Sequence, residues 1–302
     1  MSVDPAEPHD VAEEDVEWAR PGGEPLLATV YRPARVDAPL PALVDVHGGA
    51  WNFFDRRVDA YYDRALAACG LVVIAIDFRQ APAHRYPTAV ADLVAAVRWT
   101  RANAARLAAA EPVGLIGGSS GGHLAMLAAL RPHAPEFAAT PVATDADPGV
   151  AYVLPLWPIL DPLARYRYLL ARRADPTPGR DPFFQPERLI AAHDAFFADE
   201  AEMQRASALR IVEAGEAETL PPIWIAHPEL DENVTLAMTE RFVAAYRAAG
   251  GAVELEVFPA LGHGFANFPG AAADGCIRSM WSFISRRLAA ADHGLGWSTR
   301  NP

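Results

Sequence analysis

Two serines in a doubled glycine frame, Gly117-Gly-Ser-Ser-Gly-Gly-His-Leu-Ala125, are the residues of this 302-residue sequence best placed to attack an electrophile. The apolar run Val113 to Ile116 precedes them and an apolar helical pattern, Gly122 to Leu130, follows. A serine on a sharp turn between a strand and a helix presents its hydroxyl clear of the backbone, provided that the flanking positions lack bulk. Gly/Ser turns are common, and a flexible loop is the plain alternative; the strand and helix on either side argue against it. Two registers satisfy the pattern, Gly117-x-Ser119-x-Gly121 and Gly118-x-Ser120-x-Gly122, and the pattern alone does not choose between them.

A serine hydroxyl needs an imidazole to take its proton and a carboxylate to hold that imidazole in the right tautomer. Strand Val253 to Phe258 leads into Pro259-Ala-Leu-Gly-His-Gly-Phe265, which sets His263 between two glycines on a loop. Strand Ile223 to Ala226 leads into His227-Pro-Glu-Leu-Asp-Glu-Asn-Val234, where Glu229, Asp231 and Glu232 compete for the acid's role. A third loop, His47-Gly-Gly-Ala-Trp51, follows the apolar run Ala42 to Val46. Glycines there let backbone N–H groups approach an oxygen on which negative charge develops, each donor contributing ~3 kcal/mol. His47 reads as a brace for that loop. His84, His123, His193 and His227 show no HExxH or Cys/His spacing, so neither a metal nor another cofactor is expected.

The run GGSSGGHLA resembles the elbow of the hormone-sensitive-lipase-like and kynurenine-formamidase-like esterases of the α/β-hydrolase fold. There the serine is followed by a small residue, two glycines, a polar residue, Leu and Ala. The resemblance implies Ser119 as nucleophile and the N–H of Ser120 as an oxyanion donor, with the Ser120 hydroxyl incidental. The loop from His47 to Trp51 is similar to the HGG-x-W oxyanion loop of the same families and implies Gly48 and Gly49 as donors. Ala50 departs from the HGGG form, which tilts the likeness toward the formamidase-like branch. The loop after Ala226 resembles the family's acidic loop and implies Asp231. The order Ser119, Asp231, His263 is the nucleophile, acid, base order of these hydrolases. Asp77-Phe-Arg79 and Ala81 to Pro87 resemble a structural block of the family, in which Asp77 and Arg79 are expected to pair and fix a loop. The likeness spans residues 25 to 290.

It implies a carboxylic ester hydrolase working through an acyl-enzyme on a Ser-His-Asp triad. Three alternatives stay open: an amidase such as an arylformamidase, a prolyl-oligopeptidase-like peptidase on the same triad, and a noncatalytic binding protein that kept the fold. Trp51 and Trp157, with Phe183, Phe184, Phe196 and Phe197, are candidates to line an apolar acyl or aryl pocket, although such aromatics equally form a small core of their own.

These loops need a scaffold, and the periodicity supplies one. Leu26 to Tyr31, Ala42 to Val46, Leu71 to Ile76, Val113 to Ile116, Ala151 to Leu156, Ile223 to Ala226 and Val253 to Phe258 read as strands, interleaved with helical patterns such as Thr88 to Arg101 and Leu236 to Ala249. The fold expected is α/β, a doubly wound and mostly parallel sheet, with core residues 18–157 and 222–292. The alternation fails over 158–221, a Pro- and Arg-rich stretch with helical patches at Pro186 to Phe197 and Glu200 to Val212, expected to be an inserted helical cap. Residues 1–17 read as a mobile acidic arm and 293–302 as a tail.

Hydrophobic residues at 51% with 21% charged suit a packed core. A net charge of -12 disfavours phosphate backbones and anionic lipid, so neither nucleic acid nor membrane is an expected partner. A small-molecule ester or amide is the expected partner, with a homodimer left open. The acidic start lacks a signal pattern and two cysteines make no disulfide framework, which makes the cytoplasm the default compartment.

Overall fold

The computed structural model describes residues 8–35, 37–175 and 184–292. The elements run β1 (Val11–Ala19), β2 (Leu26–Pro33), β3 (Leu40–Val46), α1 (Ala60–Ala68), β4 (Val72–Ile76), α2 (Thr88–Ala102), α3 (Ala104–Leu107), β5 (Ala109–Gly118) and α4 (Ser120–Leu130). They continue with β6 (Tyr152–Leu156), α5 (Pro162–Ala174), α6 (Pro186–Phe196), α7 (Glu200–Arg205), α8 (Ala208–Glu213), β7 (Ile223–Pro228), α9 (Leu236–Ala248), β8 (Val253–Phe258) and α10 (Ala271–Asp292).

The eight strands form one sheet in the order β1-β2-β4-β3-β5-β6-β7-β8. β1 and β2 join antiparallel, and every pairing from β4 to β8 is parallel. Strands covered by helices on both faces read as unbroken apolar runs, and β4 and β6 are buried at every position. β8 lies at the edge and is only partly buried, with Glu254 and Glu256 held by Arg286 and Ser279 of α10, and charge on an edge strand discourages pairing with another chain. Parallel strands point their C-terminal ends the same way, so the loops after β3, β5, β7 and β8 gather at one end of the sheet. That is where ligands meet sheets of this kind.

The N-terminal segment is not a free arm in its described part. Residues 11–17 belong to β1, which pairs with β2 from Val11 opposite Pro33 onward. The acidic composition concealed this because only alternate side chains of an edge strand face inward: Val16 and Trp18 are buried, while Glu13 and Asp15 answer Arg64 and Arg56. Residues 1–7 and 293–302 lie outside the described residues.

Among the described residues between β6 and β7, four helices replace the strand–helix alternation. The first, α5, lies outside the two expected helical patches, yet its start carries a strong local signal: Asp161 accepts from the N–H of Ala164, and Pro162 occupies the first turn. The expected patch from Glu200 to Val212 divides into α7 and α8. Ser207 caps the second half by accepting from Arg210 N–H at 3.2 Å.

Under the other face of the sheet, Asp45 on β3 and Asp59 and Asp63 at α1 are fully buried. The Tyr62 hydroxyl donates to Asp45 at 3.3 Å and the Asn267 amide donates to Asp59. Burial raises all three carboxyls, Asp45 and Asp63 well above the usual range and Asp59 to about 7, with mutual repulsion adding to it for Asp45 and Asp63.

The inclusion of β1 in the sheet has a measurable consequence. Trp18 is 4% exposed and its indole donates to the Asp77 carbonyl at 3.1 Å. Trp18→Ala is expected to cost about 3 kcal/mol in a denaturant titration, as for other buried large-to-small changes. A loss within about 0.5 kcal/mol, as at an exposed surface position, would detach β1 from the cooperative fold.

Candidate active site

The turn from β5 into α4 places Ser119 at φ 55°, ψ -117°, a strained conformation for a residue with a side chain. The surroundings enforce it. Ser119 N–H donates to Leu156 O at 2.8 Å, and its carbonyl accepts from His123 N–H and Ile159 N–H. A Cβ at position 121 would stand 1.9 Å from the carbonyl oxygen of Val46, so only glycine lets α4 approach the end of β3. The turn therefore closes in the register Gly117-x-Ser119-x-Gly121.

Ser119, His263 and Asp231 come from three separate loops and meet. Ser119 Oγ lies 2.8 Å from His263 Nε2, and His263 Nδ1 lies 2.8 Å from Asp231 Oδ2. A carboxylate only accepts, so Nδ1 carries the proton and Nε2 is free to accept from the serine hydroxyl. The other oxygen of Asp231 accepts from the N–H groups of Asn233 and Val234 at 2.7 and 3.0 Å. Glu229 instead accepts from Ala260 N–H, and Glu232 pairs with Arg172, so neither competes for His263.

Gly48 lies against the serine: a Cβ there would sit 3.4 Å from Ser119 Cβ and 2.9 Å from Gly118 O. Gly49 takes φ 105°, and a Cβ there would meet Phe53 O at 2.0 Å. Ser120 opens α4, and an N–H in the first turn of a helix has no intrahelical acceptor. Gly48 and the start of α4 at Ser120 thus lie next to Ser119, whereas the near neighbours of Gly49 are Phe53 and Phe54. His47 is buried, donates from Nδ1 to Gly48 O at 2.7 Å and stacks on Phe78, while burial holds its pKa below the ordinary value. It braces the loop.

The Ser120 hydroxyl is not incidental: it is fully buried and accepts from Trp51 N–H at 3.2 Å, tying the elbow to the glycine loop. Asp77 and Arg79 do not pair with each other. Asp77 receives Arg56 at 2.8 Å and Arg79 grips the buried Asp92, because each side chain found a partner on a different element. Trp51 and Trp157 do not line an open pocket. Trp51 is fully buried, stacked on Phe196 at 4.9 Å, and Trp157, 2% exposed, packs edge-on to His263 at 6.2 Å. Phe196 and Phe197 are buried with Trp51, as a small core of their own, and Phe183 lies outside the described residues.

His123 links these layers. It accepts from Trp51 Nε1 at 3.1 Å on Nδ1 and donates from Nε2 to Ala206 O at 2.8 Å. That carbonyl lies at the break between α7 and α8. No spacing rule signalled this role; a buried histidine on an otherwise apolar helix was the only hint.

Residues 43–267 match the family described as alpha/beta hydrolase fold. The chain belongs to the α/β-hydrolase family. Among its relatives, esterase LipC of Mycobacterium tuberculosis is 29% identical over 258 residues, covering 82% of this chain and 59% of that protein. Esterase LipQ of the same organism is 30% identical over 253 residues, covering 81% and 55%. This α/β-hydrolase thus spans less than three fifths of the length of those two relatives. A solved esterase from Thermogutta terrifontis with bound propionate has the same fold, with a TM-score of 0.71 at 22% identity over 95% of this chain and 97% of that one. Among the described residues of this α/β-hydrolase, no helix is long and apolar enough to cross a membrane.

Burial pushes His123 down to about 4, an effect that its bond to Ala206 O opposes and the nearby Arg165 charge reinforces. The unfolded chain then binds a proton that the folded one rejects, so this contribution to stability is complete above the unfolded value near 6.5 and is lost as pH falls toward 4. His123→Gln keeps a donor and an acceptor but cannot titrate. Its melting temperature is expected to fall less than that of the native chain between about pH 8 and about pH 5, read by thermal unfolding. Equal falls would show that His123 charges without penalty.

Proposed function

We propose that this chain hydrolyses carboxylic esters of small molecules through an acyl-enzyme formed on Ser119. The observation that carries the reading is the unbroken path from Ser119 Oγ to His263 Nε2 and from His263 Nδ1 to Asp231 Oδ2, 2.8 Å at each step. Membership of the α/β-hydrolase family and the two relatives named as esterases support it.

In the first half-reaction Ser119 Oγ attacks the ester carbonyl carbon while its proton passes to His263 Nε2. The carbonyl oxygen becomes an anion beside the N–H groups of Gly48, Gly49 and Ser120, each contributing ~3 kcal/mol to the barrier reduction. Collapse breaks the bond to the alcohol oxygen, which takes the proton back from Nε2. Water then attacks the acyl carbon, gives its proton to Nε2 and releases the acid as Ser119 recovers its hydrogen. Asp231 stays ionised and holds the imidazolium that forms twice in the cycle.

Ser119→Ala is expected to abolish turnover of p-nitrophenyl butyrate and labelling by a fluorophosphonate, while Ser120→Ala keeps the label and loses only part of the rate. Labelling that survives Ser119→Ala and disappears in Ser120→Ala would move the nucleophile to the second serine. Parallel rates on p-nitrophenyl esters, N-formyl-kynurenine and Pro-peptide anilides separate an esterase from an amidase or peptidase on the same triad. A folded native chain that takes no label is a binding protein with this fold.

The apolar surface beside the site comes from residues that the pocket expectation did not include. Phe53 and Phe54 are 54% and 50% exposed, their rings 4.6 Å apart, and Phe54 Cδ2 lies 3.0 Å from where a Cβ on Gly49 would be. Phe54 holds φ 74°, an outlier for an aromatic residue. We assign the pair to the apolar part of the ester. Replacing both by alanine is expected to lower kcat/KM for p-nitrophenyl octanoate roughly tenfold and for the acetate by less than about twofold, since only the long chain reaches them. Equal losses on both esters would remove the pair from chain recognition.

A further inference from the structure

Arg165 on α5 is buried to 1% exposure, and among the described residues its hydrogen bonds go to no carboxylate. Nε donates to Asn233 O at 2.9 Å, Nη1 donates to His193 Nε2 at 2.8 Å, and Nη2 reaches Asn233 Oδ1 at 3.5 Å. A guanidinium taken out of water needs a counter-charge. The carboxylate across Asn233 is Asp231, whose Oδ1 accepts from the N–H of that same Asn233 and whose own side chain is buried. Burial pushes Arg165 down to about 10, and the charge of Asp231 is the main influence acting the other way. It therefore stays charged at the pH of any ordinary assay.

We propose that Arg165 is a positioning residue for the triad: it fixes the Asp231 loop through Asn233 and supplies the buried positive charge that balances Asp231. The proposal rests on the hydrolase reading. It makes the helices between β6 and β7 part of the proton-transfer machinery, because the cation that faces the acid loop is theirs. The same guanidinium fixes His193 on α6, and the His193 ring packs edge-on against Trp51 at 5.0 Å, so one side chain reaches toward both the acid loop and the glycine loop.

The other titratable groups around it do not supply this charge. Tyr168 on α5 donates its hydroxyl to Glu232 O at 3.0 Å, and Arg172 pairs with the Glu232 carboxylate at 3.5 Å. His193 on α6, His123 on α4 and His227 on β7 are held below the ordinary histidine range by burial, so they are neutral where the enzyme would be assayed.

Charge and geometry separate in two variants. Arg165→Met keeps the aliphatic length and removes both the charge and the fork; Arg165→Lys keeps the charge and loses the fork. With p-nitrophenyl butyrate, Arg165→Met is expected to lower kcat about tenfold or more with KM within about threefold. It is also expected to move the acidic limb of kcat/KM to higher pH by roughly half a unit or more, because the imidazolium of His263 forms more easily once a neighbouring cation is gone. Arg165→Lys is expected to lose part of kcat with the limb in place. A folded Arg165→Met chain with an unmoved limb, or with native kcat, overturns the proposal. So does Arg165→Lys with the limb displaced as far as in Arg165→Met.

If Arg165→Met does not fold, Asp231→Asn in the native background tests the charge by thermal unfolding. It is expected to lower the melting temperature by leaving the guanidinium without its counter-charge, and an unchanged or higher value overturns the pairing. This last measurement needs no turnover. A native chain that took no fluorophosphonate label would end the hydrolase reading while the Arg165–Asp231 pairing was still decided by the melting temperatures.

Discussion

The contact between the α-carbon of Gly121 and the carbonyl of Val46 is the constraint on which the rest of this molecule depends. It lets the N-terminus of α4 press against the end of β3, and a single added carbon would collide at 1.9 Å. Two neighbouring parallel strands and one helix then converge within a few ångströms. The serine between them is left with the one backbone conformation that points its hydroxyl outward, and the strain at Ser119 is held in place by the hydrogen bonds of its N–H to β6 and of its carbonyl to His123 and Ile159. Glycine at 121 is thus a statement about two elements far apart in sequence as well as about a turn.

Around that contact the site is layered outward by polar side chains inside an apolar core. Ser120 receives the backbone of Trp51, His123 receives its indole, and Ala206 receives His123. Each bond satisfies a group that would otherwise be buried without a partner, and such groups are costly to leave unpaired. The helices between β6 and β7 are consequently fastened to the sheet through the same residues that shape the glycine loop. Their aromatic side chains close over Trp51 and are spent on that packing.

Much of this was legible in the sequence for physical reasons. Apolar runs of β-branched residues mark strands buried on both faces, and glycines mark the two loops where backbones approach closely. Ser119, Asp231 and His263 were readable as a set because each follows a strand of the same parallel sheet. What was hidden depends on partners distant in the chain. β1 reads as acidic because its outward face carries the charge that Arg56 and Arg64 answer. Nothing in Asp77-Phe-Arg79 says that each charge turns away from the other, and no composition signal distinguishes Arg165 from the exposed arginines beside it. Aromatic content likewise does not say whether a ring faces substrate or its own neighbours, which is why the exposed pair at Phe53 and Phe54 emerged only from burial.

The acids beneath the sheet set a boundary of a different kind. Asp45, Asp59 and Asp63 are folded into the protein as neutral groups, and Asp59 ionises near neutrality. The contribution of Asp59 is fully present in acid and is lost as pH rises to about 7, whereas that of the buried histidine His123 above the sheet is lost as pH falls. The two clusters lie on opposite sides of one sheet and respond to opposite excursions of acidity. One sheet thus separates two sets of buried groups whose contributions to stability change with acidity in opposite senses.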